Sequence, residues 1–292
     1  MIISEERIDN LRKRYSNSTQ ATKVSFVCVY NNTKILEKDL LSSLKIQDHP
    51  WELITIDNTS KKFSSAASAL NFGAEIISGD YIIFCHQDIE IHDSVWIKKA
   101  LDMISELQIN KSSIAGVAGR NHVSKKIVTN IDRSLKESPL EANHIDKPVE
   151  VDTVDCCMII IPSHIFKIIK FDEETCSDWH LYTEDYCLSA KNLGYGVYVL
   201  PLYLIHNSSG ININLSFNTS TKGYYSTLEK VIKKHKKIKR IYTTTKIWNT
   251  RENILLQKIK VYIYYLIHQS IKYIWRKLHL KKIYRYFHKQ TQ

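Results

Sequence analysis

The residues best suited to chemistry follow directly after an apolar run near residue 80. Residues 81–85, YIIFC, are mostly apolar, and His86-Gln87-Asp88 comes immediately after them. Such a run is typical of a strand buried on both faces of a parallel sheet. A carboxylate just beyond the end of such a strand lies where open α/β sheets bind their ligands. The pattern therefore predicts a metal–nucleotide site at Asp88, and the alternative interpretation is a solvated turn.

Two earlier apolar runs also end in polar residues. Residues 24–30 end at Asn31-Asn32, and residues 53–56 end at Asp57. If these runs are parallel strands of one sheet, their carboxyl ends meet at one edge, together with that of the run before His86.

The segments between these runs have the spacing of helices. Apolar side chains recur at helical intervals over residues 34–46, and residues 64–77 are rich in alanine. Strand, helix, strand, helix, strand predicts a doubly wound, mostly parallel α/β sheet of Rossmann-like type, with right-handed crossovers. Neither GxGxxG nor GxxxxGK[ST] occurs at the first turn. This argues against both a dinucleotide enzyme and a P-loop enzyme.

Downstream of Asp88 the pattern is less regular. Residues 94–108 predict another helix, and the polar residues 120–150 predict a loop region or an insertion. A further apolar strand is predicted over residues 154–161, where Asp152 and Asp155 lie at its start.

A second group of candidate residues surrounds the start of a predicted helix. Glu184 and Asp185 lie in its first turn, where acids are favoured by the helix dipole, so capping is the simplest interpretation. Trp179, His180 and Tyr182 crowd the same turn. Aromatic groups beside a carboxylate are what an acceptor-binding site with a general base requires.

Composition limits the class of protein. The chain has 292 residues, 43% of them hydrophobic, which is enough for one large domain with an appendage. We expect no transmembrane helix, because no apolar run reaches about 18 residues, and no signal peptide, because the charged N-terminus lacks an apolar core. The six cysteines form no CxxC pair. We expect them to be reduced, buried thiols of a cytosolic protein.

The charge is distributed unevenly along the chain. The net charge is +11, yet residues 230–292 contain 18 lysines and arginines and a single acid, Glu252. We therefore predict a polar leader (1–22), a main domain (23–229) and a basic, aromatic, mainly helical extension (230–292). The extension is expected to bind an anionic membrane surface. It could instead pack on the main domain or bind nucleic acid.

In this order, the elements resemble the family-2 glycosyltransferases of GT-A fold. The resemblance is greatest to a glycosyltransferase-like branch with His-Gln-Asp where most relatives have Asp-x-Asp, and it covers about residues 24–210. The segments that carry it are Tyr30-Asn31-Asn32, Asp57, Asn71-Phe72-Gly73, Gly79 to Phe84, His180 to Leu188, Lys191, Gly194-Tyr195 and His206.

The resemblance implies a GT-A fold and the inverting transfer of a sugar from a nucleotide donor, with uridine diphosphate as the expected nucleotide. The implied donor-binding residues are Tyr30, Asn31, Asn32, Asp57, Asn71, Gln87 and Asp88. The implied ligands for Mn²⁺ or Mg²⁺ are Asp88, His86 and His206. Asp185 is the expected catalytic base and Glu184 the second candidate. The residues expected on the acceptor side are Trp179, His180 and Tyr182.

Two departures from the family pattern keep rival functions open. His86 replaces the first aspartate of Asp-x-Asp, and Lys191 stands where many relatives have arginine and so lacks its bidentate fork. The rivals are a non-catalytic nucleotide-sugar-binding or scaffold protein and a nucleic-acid-binding protein that uses the extension. The leading expectation is a cytoplasmic enzyme of glycan assembly, peripherally bound to the inner face of the membrane. Its acceptor would be a glycan, a lipid-linked glycan or a glycoprotein.

Overall fold

The computed structural model describes residues 11–17, 23–110, 112–133, 144–207 and 221–277. The strands in chain order are β1 (Arg12–Ser16), β2 (Val24–Tyr30), β3 (Glu52–Asp57), β4 (Tyr81–Cys85), β5 (Ile89–Glu90), β6 (Ser113–Gly116), β7 (Ala118–Arg120), β8 (Ile127–Thr129), β9 (Ile131–Arg133), β10 (Val149–Glu150), β11 (Thr153–Val154), β12 (Met158–Pro162), β13 (Gly196–Val199), β14 (Leu204–His206), β15 (Arg240–Tyr242) and β16 (Ile247–Asn249). The helices are α1 (Thr33–Leu36, the π-helical turn Glu37–Leu41 and Ser42–Lys45), α2 (Ala66–Gly73), α3 (Trp96–Asn110), α4 (Ser163–Ile168), α5 (Tyr182–Asn192), α6 (Lys222–Lys234) and α7 (Ile254–Lys277).

An eight-stranded sheet forms the centre of the molecule, in the order β1-β3-β2-β4-β12-β6-β13-β10. Strands β3, β2, β4, β6 and β13 run in one direction. Strand β12 and the edge strands β1 and β10 run in the opposite direction. The predicted α/β fold with a mostly parallel sheet is therefore confirmed, and β12 is an antiparallel strand in its middle.

Helices cover both faces of this sheet because successive strand residues point to opposite sides. Phe26 and Cys28 of β2 face a core shared with α1 and α3. Val27, between them, faces the core shared with α2, α5 and α6. Helix α2 packs closely on the sheet at Gly73, where an added Cβ would lie 2.5 Å from Ile56 Cδ1.

The structure corrects two details. Residues 12–16, inside the predicted leader, form the edge strand β1, which pairs antiparallel with β3, whereas residues 1–10 and 18–22 lie outside the described part of the chain. The predicted loop region 120–150 contains the short strands β8 and β9 and the edge strand β10 of the large sheet, and its residues 134–143 are not described. Short strands with few apolar residues give too little periodicity to be recognised.

The predicted extension is partly packed on the main domain. Its boundary at residue 230 falls inside α6, which is continuous to Lys234. The hairpin β15–β16 follows, and its Trp248 is completely buried in the same core as α5 and α6. Helix α7 adds Val261 to that core. None of the helices that are described is long and apolar enough to cross a membrane.

Candidate active site

The ends of several strands meet at one edge of the sheet. Strands β2, β3 and β4 are parallel, so Tyr30, Asp57 and Cys85 lie at the same edge, and Tyr30 is directly opposite Asp57. Strand β12 is antiparallel to β4, and its first residue, Met158, pairs with Cys85. The residues that precede β12 therefore reach the same edge as the residues that follow β4.

Two histidines and an aspartate converge there. His86 Nδ1 lies 3.3 Å from His206 Nε2, which lies 3.4 Å from Asp88 Oδ1. His86 Nδ1 and Asp88 Oδ1 are 4.0 Å apart. The chain brings His206 to this point because β14 pairs with β5, with His206 opposite Ile89.

The three side chains are suitable ligands for a divalent cation. Neighbouring ligand atoms of an octahedral Mg²⁺ or Mn²⁺ are about 3 Å apart, which is close to two of the three separations. Burial and the neighbouring His206 lower the pKa of His86 to about 4, so the imidazole is neutral and keeps a lone pair for a metal. Burial alone would raise the pKa of Asp88, but hydrogen bonding and charge from His206 lower it, so the carboxylate is ionised. Imidazole favours Mn²⁺ over Mg²⁺.

A hydrogen-bond network fixes the chain around this cluster. Asn207 donates its backbone N–H to the Asp88 carbonyl (2.9 Å) and its side-chain amide to Asp39 Oδ2 (3.2 Å). Asp39 is buried in the π-helical turn of α1. The residue that follows His206 is thus held from two sides.

Gln87, the middle residue of the triplet, joins two strand ends. Its Oε1 accepts the backbone N–H groups of Asn31 (3.1 Å) and Asn32 (3.0 Å), and its Nε2 donates to Asn31 Oδ1 (2.8 Å). The side chain of Asn32 caps α1 by accepting from the backbone of Lys34 and Ile35. Gln87 and Asn32 therefore shape the loop between β2 and α1.

An open cleft of about 840 Å³ lies beside the cluster. Tyr30, Asn31, Phe63, Gln87, Asp88 and Trp179 contribute to its lining. Burial and a hydrogen bond to Asp57 raise the pKa of Tyr30 to about 12. Burial would raise the pKa of Asp57, but hydrogen bonds from Thr59 and Tyr30 outweigh it and lower that pKa. Asp57 is thus an ionised acceptor at the end of β3.

Asp155 is a half-buried carboxylate beside the cluster. Its Oδ1 accepts the backbone N–H of Cys157 (3.0 Å), and its Oδ2 accepts the hydroxyl of Thr244 in the hairpin β15–β16. Burial would raise the pKa of Asp155, but these hydrogen bonds, with a smaller electrostatic contribution from the neighbouring histidines, lower it.

Glu184, in the first turn of α5, lies next to Asp155. Its Oε2 accepts from Thr183 Oγ1 (3.0 Å) and Cys156 Sγ (3.2 Å). Burial first, and then the negative charge of Asp155, raise the pKa of Glu184 to about 7. A carboxylate with such a pKa is well matched to general base catalysis near neutral pH.

Asp185 points in a different direction, toward the end of α6. Its Oδ2 accepts from Lys234 Nζ (2.7 Å), and its Oδ1 is 2.8 Å from His235 Nε2. Asp185 and His235 are both buried. Both carboxylate oxygens of Asp185 are therefore occupied by the end of α6, and the side chain joins α5 to α6.

The residues expected on the acceptor side lie at the start of α5 and just before it. Trp179 lines the cleft, and the Tyr182 hydroxyl donates to the carbonyl of Cys156 (2.9 Å). His180 packs near Tyr224, with ring centroids 5.7 Å apart. Between them, buried Leu181 has φ of 64°, a strained conformation for a residue with a side chain. This turn reverses the chain from the cleft into α5.

Two other residues of the resemblance lie elsewhere. Asn71 is buried in α2 and holds the backbone of Phe171, donating to its carbonyl (2.9 Å) and accepting its N–H (3.2 Å). Lys191 donates to the Val151 carbonyl (2.9 Å) and to Asp152 Oδ1 (3.3 Å). Both therefore tie together parts of the main domain, and neither lines the cleft.

Sequence reasoning assigned no role to Asp155, Thr244 or Phe63. Asp155 directly precedes an apolar strand, which is a usable signal once that strand is known to be antiparallel. Phe63 lines the cleft, and Asn58 holds its backbone through two hydrogen bonds. Thr244 is 89 positions from its partner in the sequence, and no local pattern marks it.

The sequence and the fold match known proteins. A family sequence model described as "Glycosyltransferase like family" matches residues 25–235. A protein of Fuscovulum blasticum named "ATP synthase subunits region ORF 6" is 27% identical over 140 residues, which are 46% of this chain and 53% of that protein. The chain thus spans about half the length of this curated relative.

Two solved structures are similar in fold. S. aureus TarS 1–349, in complex with UDP-GlcNAc, has a TM-score of 0.51 and 16% identity, covering 72% of this chain and 66% of that one. The mannosyltransferase PcManGT from Pyrobaculum calidifontis, in complex with GDP-Man and Mn²⁺, has a TM-score of 0.50 and 11% identity, covering 75% of this chain and 66% of that one. At these identities the similarity shows the fold alone.

Proposed function

Because the chain belongs to the glycosyltransferase-like family, we propose that it transfers a sugar from a nucleoside diphosphate to a hydroxyl group of an acceptor. The observation that carries this proposal is the meeting of His86, Asp88 and His206 at one end of the sheet, beside a cleft large enough for a nucleotide. The end of β4 and the pairing of β5 with β14 hold these side chains on regular strands, as precise positioning of a donor requires.

The cleft beyond the ends of β2, β3 and β4 is the proposed donor site. Asp57 would accept hydrogen bonds from the nucleotide base, and Phe63 offers an aromatic surface nearby. Uridine diphosphate is the nucleotide that the family resemblance implies. The similar structures contain UDP-GlcNAc in one case and GDP-Man in the other, so the donor panel below includes both nucleotides.

His86, Asp88 and His206 are the residues that would hold a divalent cation, Mn²⁺ in preference to Mg²⁺ because two ligands are imidazoles. A bound cation would neutralise the charge that develops on the diphosphate leaving group. Asp88 contributes the hard oxygen that both ions prefer.

We infer an inverting reaction. The acceptor oxygen attacks the anomeric carbon while its proton passes to a carboxylate of the protein. The bond between that carbon and the diphosphate oxygen breaks, and its electron pair leaves with the nucleoside diphosphate. The protein must therefore hold a basic carboxylate on the acceptor side of the sugar.

Glu184 is the carboxylate that we propose for this role. It adjoins Asp155, which lies beside the histidine–aspartate cluster, and its pKa of about 7 suits proton abstraction. The family resemblance points first to Asp185, whose oxygens are both engaged by Lys234 and His235. We therefore assign Asp185 a structural role and keep it as the rival base.

The acceptor and the location of the enzyme are proposals as well. The hydroxyl would belong to a glycan, a lipid-linked glycan or a glycoprotein, with Trp179, His180 and Tyr182 on its side of the site. We propose that the enzyme acts in glycan assembly at the cytoplasmic face of a membrane, to which the basic extension attaches it.

The test is the release of nucleoside diphosphate from a panel of UDP- and GDP-sugars, with Mn²⁺ or with EDTA. The wild-type protein is compared with Asp88→Asn and with a control, Asp93→Asn. Asp93 lies close behind Asp88 in the sequence, and its carboxylate pairs with Lys99. We expect metal-dependent release from one donor, lowered at least about 10³-fold in Asp88→Asn and unchanged in the control.

Two outcomes would contradict the proposal. Metal-dependent nucleotide binding without turnover, in the presence of acceptor extracts, would identify a nucleotide-sugar-binding or scaffold protein. Oligonucleotide binding that weakens steeply with salt and does not need Asp88, with no nucleotide binding, would identify a nucleic-acid-binding protein.

A further inference from the structure

Helix α7 exposes a continuous apolar surface. One side of the helix is anchored: Val261 is buried in the core, and buried Gln257 accepts the backbone N–H of Asn249 (2.9 Å). The opposite side carries large apolar side chains that are 37% to 54% exposed. This α7 stripe consists of Leu255, Leu256, Ile259, Ile263, Leu266 and Ile267.

The spacing of these residues makes them one surface. At about 100° per residue, all six fall within a sector of about 120°, and they extend over about 18 Å of helix. Scattered exposed apolar residues need no explanation, but a contiguous apolar stripe on a helix indicates a binding surface.

The charges in this part of the sequence are almost all positive. Residues 254–277 contain five lysines and arginines and no acid, and residues 278–292 add four more, again without an acid. Among the described residues, Lys260 pairs with Glu252, just before the helix, and Lys258 lies over the ring of Tyr225 (4.7 Å). A partner that complements the stripe therefore has an apolar surface with negative charges at its border.

A second copy of this chain does not meet that requirement. Two α7 helices that packed stripe to stripe would bring lysines of both copies together, without the acidic partners that stabilise paired helices. An anionic phospholipid bilayer offers an apolar interior beneath a negatively charged surface. A helix with an apolar face and a basic remainder lies in the plane of such an interface.

We propose that the α7 stripe docks on the surface of an anionic phospholipid bilayer. The helix lies on the membrane, with the side chains of the stripe between the lipid head groups and the lysines facing phosphates. Helix α7 begins shortly after β16. Strand β16 belongs to the hairpin whose Thr244 contacts Asp155. Provided that the proposed function is correct, docking thus holds the acceptor side of the site at a fixed distance from the bilayer, which suits a membrane-borne acceptor.

The test is co-sedimentation of the full chain with vesicles of phosphatidylcholine, alone or with about 30% phosphatidylglycerol. The variant is Ile263→Ser/Ile267→Ser, at positions 49% and 54% exposed. The matched control is Ile109→Ser/Ile168→Ser, at positions 84% and 65% exposed elsewhere on the molecule. Circular dichroism and thermal unfolding confirm that all three proteins are folded.

We expect the wild type and the control to bind anionic vesicles at least about tenfold more strongly than neutral ones, and less strongly at high salt. The stripe variant should bind at least about tenfold more weakly than the control. Equal binding of variant and control, or no binding by the wild type, would overturn the proposal. So would a change from dimer to monomer in the stripe variant without a change in vesicle binding, because the stripe would then be a contact between copies. Nucleotide release with a soluble acceptor should be equal in all three, so a failure of docking is separable from a failure of the proposed reaction.

Discussion

The candidate site has two halves that are built differently. The donor edge consists of the residues that follow β2, β3 and β4, three neighbouring parallel strands that are consecutive in the chain except for their helices. The proposed acceptor side adds to Trp179, His180 and Tyr182 the side chains of Asp155 before β12, Glu184 in α5 and Thr244 in the hairpin β15–β16. The first half is local in sequence, and the second is assembled from segments up to 89 positions apart.

The difference shows where the role of a residue can be inferred from its order in the sequence. At the donor edge, each side chain follows its strand directly, so its position is fixed by the strand. On the acceptor side, a helix turn and an antiparallel strand decide the position. Neighbouring residues such as Glu184 and Asp185 then face different sides, because each residue turns a helix by about 100°. We therefore expect that substitutions of adjacent residues on the acceptor side have different effects.

The largest expected effect on the acceptor side is that of Glu184→Gln. Removal of a general base lowers kcat by about 10²- to 10⁴-fold, with little change in the KM for the donor. Asp185→Asn should instead lower the free energy of unfolding by about 2 kcal/mol, less than for a fully buried pair because Lys234 is partly exposed. Steady-state kinetics and urea unfolding of both variants measure the two effects. The reverse result, with kcat lost in Asp185→Asn alone, would make Asp185 the base.

The pH dependence provides a second test of Glu184. Its pKa is raised from the ordinary 4.5 to about 7, so the ionised base accumulates only as the pH rises through 7. We expect kcat/KM to fall by about tenfold per pH unit below 7.

Folding stability should change in the opposite direction, because the folded protein keeps a proton between pH 4.5 and 7 that the unfolded chain has lost. The contribution of this group to stability is therefore full below its ordinary pKa and is lost as the pH rises through 7. An activity that is flat between pH 5 and 8, or that keeps its pH dependence in Glu184→Gln, would remove Glu184 from the mechanism.

A smaller effect is expected from Thr244→Val, which tests whether the hairpin belongs to the site. The substitution removes the hydroxyl that Asp155 accepts, and kcat should fall about tenfold, as for one charge-assisted hydrogen bond. Thr250→Val is the matched control, because the Thr250 hydroxyl donates to the backbone carbonyl of Lys239 (3.2 Å) on the same hairpin. If both variants lose the same activity, the hairpin acts only by its packing. The hairpin lies beyond the residues 25–235 that the family sequence model matches.

Much of the fold follows from the sequence. The predicted strands at 24–30 and 81–85 coincide with β2 and β4, and the strand predicted at 53–56 is one residue shorter at each end than β3. These strands are buried on both faces and bounded by polar residues, so hydrophobicity alone marks them. The direction of β12 cannot be predicted in this way, because an apolar run has the same pattern in a parallel and in an antiparallel strand. Asp155 was therefore visible in the sequence, but its place at the site was not.

The same limit applies to the candidate residues. The cluster of His86, Asp88 and His206 was predicted from the family pattern, and the structure brings the three together through β4, β5 and β14. The choice between Glu184 and Asp185 depends on the position of α6, whose Lys234 and His235 come about 50 residues later in the chain. A long-range contact of this kind is set by packing and has no periodicity of its own.

The smallest expected effect is that of Tyr30→Phe at the donor edge. The Tyr30 hydroxyl is a hydrogen-bond partner of Asp57, so its removal leaves the carboxylate less firmly placed for the nucleotide. The KM for the donor should rise about threefold, as expected for one hydrogen bond, and kcat should stay the same. Tyr81→Phe is the control, because the Tyr81 hydroxyl meets Ser105 Oγ (3.2 Å) at the opposite end of the neighbouring strand β4. A change in kcat instead of KM would show that the donor edge also takes part in the chemical step, and the division of the site into two halves would then fail.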